Sequence, residues 1–403
     1  MSYKKNVVIV TTNFANGGTE RRASVLADEF VKKGYNVTYL VMNKIYPDVV
    51  YELHHDIRLV SISDFAASDV ALKEKEISKK WVQKRIKPYK LLHRIAKSFS
   101  VKDKKIKRKI SSLNSIISLR AFLIFNKTDI VISFAFENHE KVCQAAEGLP
   151  CKKVFSDINA PQVMQRGIDS EMLEILKNTD ACIFQTIDQK KCYGKSVEKN
   201  SYVIRNPITS VLPEIYTGER KNKIVNFCRI DPQKNLILLA DAFKLFSEDY
   251  PEYVLEIYGI TSTERARNYK EKLLEHINDL DLSGKMKIYN AVSDVHDRIY
   301  DCRMYVSSSD YEGLSNSMVE AMAMGMPCVC TDCLGGGARE MITDGENGML
   351  VPVNDVDALY KAMCRMVSEE GLAEKCSRNA HKVRDELSVE SIVNQWLNVI
   401  EAL

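Results

Sequence analysis

No apolar run in this 403-residue sequence approaches the ~20 residues that a membrane-spanning helix needs. The start, residues 1–10, passes from two lysines into a short apolar run with no small-residue cleavage site, so no secretory leader is expected and a cytosolic chain is. Internal repeats, low-complexity tracts and the G-x-G-x-x-G dinucleotide fingerprint are all missing. Aromatic residues are few, at 8%, and no nucleic-acid reading motif stands out, which argues against nucleic acid as a partner. The 11 cysteines are scattered, as expected of small apolar residues in a reducing compartment. Only Cys328, Cys330 and Cys333 cluster, in or beside an apolar run, and without a fourth ligand packing is the better reading than zinc.

What is present is ample apolar material, 45% of residues, and a length suited to two or three domains. The net charge of +3 hides an uneven distribution. Residues 73–110 hold 16 Lys and Arg against 3 acids, a segment charge of +13. That leaves 41 Lys and Arg against 51 acids, or −10, on the other 365 residues.

Short β-branched runs alternate with helical patterns along nearly the whole chain. Strands are expected at 7–12, 35–42, 130–134, 153–156 and 181–185, then, after Asn206-Pro207, at 224–227, 253–258, 286–289, 304–307 and 327–331. Helical periodicity fills the gaps, notably over 20–33, 236–249, 264–279 and 317–323. This is the pattern of βαβ units and parallel sheets, and it runs as two series with Asn206-Pro207 as a turn-forming link. Two doubly wound domains follow, over 1–206 and 209–385, with a last helix in 386–403 that can pack back on the first domain. Such sheets bind ligands beyond the carboxyl ends of their strands, so two facing domains place a site in the cleft between them.

Three segments carry candidate chemistry. Asn16-Gly17-Gly18-Thr19-Glu20 follows the first strand, where adjacent glycines let backbone approach a ligand and a helix N-terminus favours an anion; a plain tight turn explains it equally well. Arg229 and Lys234 leave the end of the first strand of the second series, where two cations can hold a diphosphate or stand as ordinary surface charges. The run 308–327 ends a strand in small polar residues, turns at Gly313 and enters a helix near Ser317, so the backbone N–H groups of 313–317 form an anion nest. Glu312 and Glu320, eight apart, are acceptors suited to adjacent sugar hydroxyls.

Taken together, Glu312 through Gly325 resembles the E-x7-E signature of retaining GT-B glycosyltransferases of family 4, in its polysaccharide-biosynthesis branch. Arg229 to Asn235 resembles that family's diphosphate element, residues 16–21 its N-terminal Gly-Gly-x-Glu-Arg loop, and residues 203–208 its interdomain segment. The resemblance implies a GT-B fold of two Rossmann-like domains. It implies Arg229, Lys234 and Glu312 as catalytic residues, with Gly18, Asn290, Val292, Gly313, Leu314, Ser315, Asn316 and Glu320 binding the donor. Asn290 and Val292 would flank the base and Glu320 would take the ribose hydroxyls. No metal or other cofactor is implied, and the D-x-D patterns at 279–281 and 355–357 read as solvated surface near helix ends. Cys228 departs from the family's glycine before the arginine. Many members place a histidine at the end of the fourth strand against the donor sugar; here Ser133-Phe134 resembles the branch that lacks it, with His139 a candidate contact to acceptor or donor sugar, and Asp157-Ile158-Asn159 resembles the branch's Glu-Arg-Asn element with the arginine lost.

The expected activity is transfer of a hexosyl or N-acetylhexosaminyl group, with retention, from a nucleotide sugar such as a UDP-sugar to a cell-surface glycan or lipid-linked saccharide. A non-catalytic partner subunit of another transferase and a nucleotide-sugar epimerase share the architecture and stay open as alternatives. The basic segment 73–110 has two readings: solvated backs of domain helices, or a patch docking on the anionic inner face of the cell membrane.

Overall fold

The computed structural model describes residues 4–15, 17–46, 52–68, 75–76, 78–80, 104–156 and 170–403. Most of the basic segment, including the helical face expected at Leu91 to Phe99, lies outside the described residues, as does Asp157-Ile158-Asn159.

Two parallel sheets organise the chain. The first contains β1 (Asn6–Phe14), β2 (Asn36–Ile45), β3 (Arg58–Ser61), β4 (Ile130–Phe134), β5 (Lys152–Ser156), β6 (Ala181–Phe184) and β7 (Ser201–Val203), in the order β3-β2-β1-β4-β5-β6-β7. The second contains β8 (Lys221–Arg229), β9 (Val254–Ile260), β10 (Met286–Asn290), β11 (Cys302–Ser307), β12 (Cys328–Thr331) and β13 (Met349–Val351), in the order β10-β9-β8-β11-β12-β13. Val7 to Val10 and Ile130 to Phe134 are buried without interruption, as strands covered on both faces require. Register follows from these runs: Val7 pairs with Val37 on one side and Ile130 on the other, and Ile224 pairs with Leu255 and Met304.

The order reverses at β1, whose neighbours are β2 and β4, and again at β8, between β9 and β11. Reversal opens a crevice at the carboxyl end of each of those strands. The topology therefore brings the loop after Phe14 and the loop after Arg229 to the ligand-binding edges of the two sheets.

One apolar core runs through both halves. It joins Val7, Ile9 and Phe134 of the first sheet to Met318, Val319 and Met322 of the second half and to Trp396 and Ile400 near the C-terminus. The Val389–Glu401 helix packs on the Gly18–Lys32 helix. Between them the buried Arg22 guanidinium lies 5.8 Å from the Phe134 ring centroid and 5.4 Å from that of Trp396, and donates to the Ile204 carbonyl at 3.3 Å.

Cys328, Cys330 and Cys333 are buried in and beside β12, so they pack as apolar residues. Asp355 caps the Val356–Ser368 helix by accepting from Ala358 N at 2.8 Å, which assigns one D-x-D aspartate a capping role. No helix among the described residues is long and apolar enough to cross a membrane.

Candidate active site

β8 ends in Phe227-Cys228-Arg229, and the loop beyond it is built from caps. Asp231 accepts from Gln233 N at 3.2 Å to start a short 3-10 turn, Pro232–Lys234. Asn235 then takes the left-handed conformation (φ 43°, ψ 50°), caps the Leu236–Asp249 helix through Leu238 N at 3.3 Å, and donates to Asp310 Oδ1 at 2.7 Å. Asparagine is among the few non-glycine residues that tolerate this backbone and cap a helix as well. These constraints send Arg229 and Lys234 out of the strand end on the same side.

The loop after β11 meets it there. Ser308 Oγ donates to the Lys234 carbonyl at 2.9 Å, Asp310 N to the Gln233 carbonyl at 3.0 Å, and Gln233 Nε2 to the Tyr311 carbonyl at 2.8 Å. Lys234 Nζ donates to Glu312 Oε1, and Ser309 Oγ reaches the same oxygen at 3.3 Å. From behind, Glu312 N donates to the Leu334 carbonyl at 2.9 Å, and the glycines that follow press on the turn. A Cβ on Gly335 would fall 1.9 Å from the Glu312 carbonyl oxygen, and one on Gly337 would fall 1.9 Å from that of Gly313. Only glycine permits that approach, and it holds Gly313 in place. Ser315 then caps the Asn316–Ala323 helix through Met318 N.

Glu320 lies in this helix and faces the first domain. Its Oε1 accepts from Ser210 Oγ at 2.6 Å and lies 3.8 Å from Arg21 Nη1, while His296 Nε2 is 3.1 Å from Oε2. Burial raises the Glu320 carboxyl, but the hydrogen bonds from His296 and Ser210 and the charges of His296 and Arg21 outweigh it, and the group titrates below the usual carboxylate range. Nearby, Asn206 Nδ2 donates to Asn316 Oδ1 at 3.4 Å and is itself held by Gln185 Nε2 on its side-chain oxygen at 3.0 Å.

An open cleft lies between the domains. Gly18, Arg229, Lys234, Glu312, Gly313, Leu314, Ser315, Asn316 and Glu320 all line it, so the structure gathers most of the expected residues in one place. Three fall elsewhere. Asn290 and Val292 are not among the lining residues; Asn290 is exposed and Val292 is half-buried against the shared core. His139 has no exposed surface, and its ring nitrogens engage Ser133 Oγ and Thr179 Oγ1, each at 2.7 Å. It packs inside the first domain, where a sugar cannot reach it. Cys228 also lines the cleft, and burial pushes its thiol up to about 12, so it stays neutral beside the cations.

Glu20, Arg21, Gln185, Asn206, Gln233 and Tyr311 also line the cleft and had no assigned role in the sequence reading. Gly-Gly-x-Glu-Arg did signal Glu20 and Arg21, since both sit in the first turn of a helix that opens on the cleft. Asn206 was marked only as part of the link between the two series, and Gln185 gave no signal, because only the fold brings their positions together. Among the described residues, the ligand atoms of His54, His55 and Asp56 lie within 4.8 Å of one another, but none of the three lines the cleft.

Chemically, the cleft offers the cations Arg229 and Lys234 with the Glu312 carboxylate beside them, a turn of backbone N–H groups, the Glu320 carboxylate one helical segment away, and Glu20 and Arg21 from the first domain. That set accommodates a dianion flanked by two hydroxylated rings. Two parallel-sheet Rossmann-like domains with such a cleft between them make this a GT-B fold.

Residues 213–383 match the family described as glycosyl transferases group 1. A poly(glycerol-phosphate) alpha-glucosyltransferase of Bacillus subtilis is 26% identical over 235 residues, 57% of this chain and 34% of that protein. A poly(ribitol-phosphate) alpha-N-acetylglucosaminyltransferase of Staphylococcus aureus is 28% identical over 182 residues, 45% of this chain. The chain spans only 34% and 36% of these relatives' lengths. Among solved structures, a sucrose-phosphate synthase from Thermosynechococcus elongatus superposes with a TM-score of 0.75 at 15% identity, covering 99% of both chains. HepE from Anabaena in complex with UDP and glucose superposes with a TM-score of 0.69 at 14% identity, over 99% of this chain and 100% of that one.

Proposed function

We propose that the chain transfers a hexosyl or N-acetylhexosaminyl group, with retention, from a UDP-sugar to a glycan or lipid-linked saccharide of the cell surface. The convergence of Arg229, Lys234, Glu312, the 313–316 turn and Glu320 on one cleft carries this reading. Arg229 and Lys234 hold the donor diphosphate. Glu312 accepts hydroxyls of the sugar that moves, the backbone from Gly313 to Asn316 contacts sugar and phosphate, and Glu320 takes the ribose diol. Gly18 closes over the phosphates from the first domain. Support comes from relatives named as a poly(glycerol-phosphate) alpha-glucosyltransferase and a poly(ribitol-phosphate) alpha-N-acetylglucosaminyltransferase, and from a relative in Campylobacter jejuni named for transfer to a diphospho-undecaprenol saccharide.

In the reaction the bond from the anomeric carbon to the diphosphate oxygen breaks and its electron pair stays on that oxygen. Lys234 and Arg229 neutralise the charge that develops there. The acceptor hydroxyl oxygen bonds to the same carbon on the face the diphosphate leaves, and its proton passes to the departing diphosphate. Catalysis is then positioning and charge stabilisation, with no protein nucleophile in the step. The acceptor arrives against the first domain, and the basic segment 73–110 brings the enzyme to an anionic membrane surface.

The test is incubation of the purified chain with a UDP-sugar panel and candidate acceptors, with the anomeric configuration of the product read by NMR. Transfer with retained configuration is the expected result. An epimer formed from the donor without acceptor, or no turnover with any pair, rejects the proposal.

A further inference from the structure

Glu320 does not stand alone in the cleft, and its supports come from three parts of the chain. Arg21 Nη2, on the first-domain Gly18–Lys32 helix, donates to Ser210 Oγ at 2.8 Å. Ser210, in the segment that links the sheets, donates to Glu320 Oε1 at 2.6 Å. His296, on the Val295–Ile299 helix of the second domain, meets Oε2 at 3.1 Å with its ring set edge-on to Phe227. Neither Ser210 nor His296 lines the cleft, so both approach Glu320 from behind its open side.

A carboxylate has about four acceptor positions, two per oxygen. Ser210 occupies one on Oε1 and His296 one on Oε2, so one remains on each oxygen, a fit for a vicinal diol. The supports also fix the plane of the carboxylate, because each oxygen has its own donor. One chain of donors, Arg21 to Ser210 to Glu320, crosses from the first domain to the second. The ring geometry of a diol allows little error in that plane.

We infer that Ser210, oriented by Arg21, is a positioning residue for Glu320, so that the nucleoside-binding carboxylate is competent only when the first domain and the linker are seated against the second. This rests on the donor reading above and deepens it. Arg21 and Ser210 act through Glu320, and their loss acts on the nucleoside half of the donor rather than on its diphosphate.

Calorimetry with UDP, GDP, ADP, CDP and dTDP identifies the nucleoside diphosphate that wild type binds, and inorganic pyrophosphate serves as the probe for the phosphate subsite alone. Ser210→Ala should weaken the bound nucleoside diphosphate about tenfold, the scale of a hydrogen bond to a charged group, and shift pyrophosphate by less than about twofold. Ser210→Thr, which keeps the hydroxyl, should restore binding to within about threefold of wild type on the same scale. Donor KM should rise in Ser210→Ala while kcat moves little. Arg21→Ala should reproduce that selectivity, and the double variant should lose less than the sum of the two single losses, since the two share the Ser210 link while Arg21 also lies 3.8 Å from Glu320 Oε1. Loss of pyrophosphate binding in Arg21→Ala would mean that Arg21 touches phosphate itself and would overturn its positioning role. Unchanged nucleoside diphosphate affinity in Ser210→Ala would overturn the role of Ser210 while leaving the donor reading intact. A wild type that binds none of the five overturns the donor reading, and this inference falls with it.

Discussion

Lys234 Nζ donates to Glu312 Oε1, joining the loop after β8 to the loop after β11 through side chains only 11% and 16% exposed. Burial pulls the ammonium down, and the Glu312 carboxylate beside it more than restores it, leaving Lys234 above its ordinary range. Both members of the pair are assigned to the donor, one to its diphosphate and one to its sugar. On that assignment a donor would enter between two side chains already held close. Preorganisation of this kind places the cation before the leaving group develops its charge.

Removal of either partner should be costly twice over. Lys234→Ala and Glu312→Ala should each lower kcat/KM by about 100-fold or more, the scale for deleting a preorganised electrostatic contact. Each single variant also leaves a partly buried charge without its partner, whereas the double variant leaves none. Melting temperatures should accordingly fall in both single variants and recover in part in the double one. Near-normal turnover in either single variant would reject the site assignment, and additive melting shifts would reject the pairing.

Gly337 offers a test that touches no charged group. A Cβ there would meet the Gly313 carbonyl oxygen at 1.9 Å, so Gly337→Ala must push the turn that carries the anion nest. Overpacking of this kind costs about 1–3 kcal/mol, and here the displaced atoms line the cleft proposed to hold the donor. The variant should fold, with a lowered melting temperature and a donor KM raised well beyond any fall in kcat. Gly284→Ala, where nothing lies within 4 Å, is the control and should be silent. Equal behaviour of the two variants in a donor titration would show that the Gly337 contact does not shape the turn.

Much of the fold was legible because its signals are local. The expected strand at 130–134 and the helices at 236–249 and 264–279 coincide with the observed β4, Leu236–Asp249 and Glu264–Asp279, each a buried run or an amphipathic stripe with a cap. The strands that escaped notice, β3, β7 and β13, are 4, 3 and 3 residues long, too short for periodicity to register. The cleft residues of the second domain were legible for the same reason, since Arg229, Lys234, Glu312 and Glu320 sit close in sequence to strand ends and glycine turns. What could not be read was contact across the domains. Ser210 meets Glu320 from 110 positions away, and nothing in the local pattern around Thr209-Ser210 signals it. His139 shows the converse failure: its position at a strand end suggested the cleft, but its side chain turns into the core toward Thr179.

Arg22 and Trp396 predict how the C-terminal helix is held. Trp396 is 1% exposed, and the Arg22 guanidinium lies between its ring and that of Phe134. Trp396→Ala should destabilise the protein by about 3–5 kcal/mol, as for a large aromatic removed from a packed core. Arg22→Met keeps much of the volume without the cation and should cost less. Urea titrations measure both; a Trp396→Ala midpoint equal to wild type would show that the helix does not secure the first domain.

His139 sets a pH dependence whose sign can be worked out. Burial, with the charge of Lys153 adding to it, lowers its pKa from 6.5 to about 3. Above 6.5 the ring is neutral whether the chain is folded or unfolded, and this group's contribution to stability is fully present. Below that value the unfolded chain takes up a proton that the folded one refuses. Stability is then lost by about 1.4 kcal/mol per pH unit for one such group, until the folded ring itself protonates near pH 3. His139→Gln removes the titration, so its unfolding free energy should fall less steeply than that of wild type between about pH 6 and about pH 4, where this linkage acts. Parallel curves would reject the buried neutral histidine. Turnover per folded molecule should stay close to wild type, because the ring spends its nitrogens on Ser133 and Thr179 away from the cleft. A fully folded His139→Gln protein that had lost turnover would return the residue to the site.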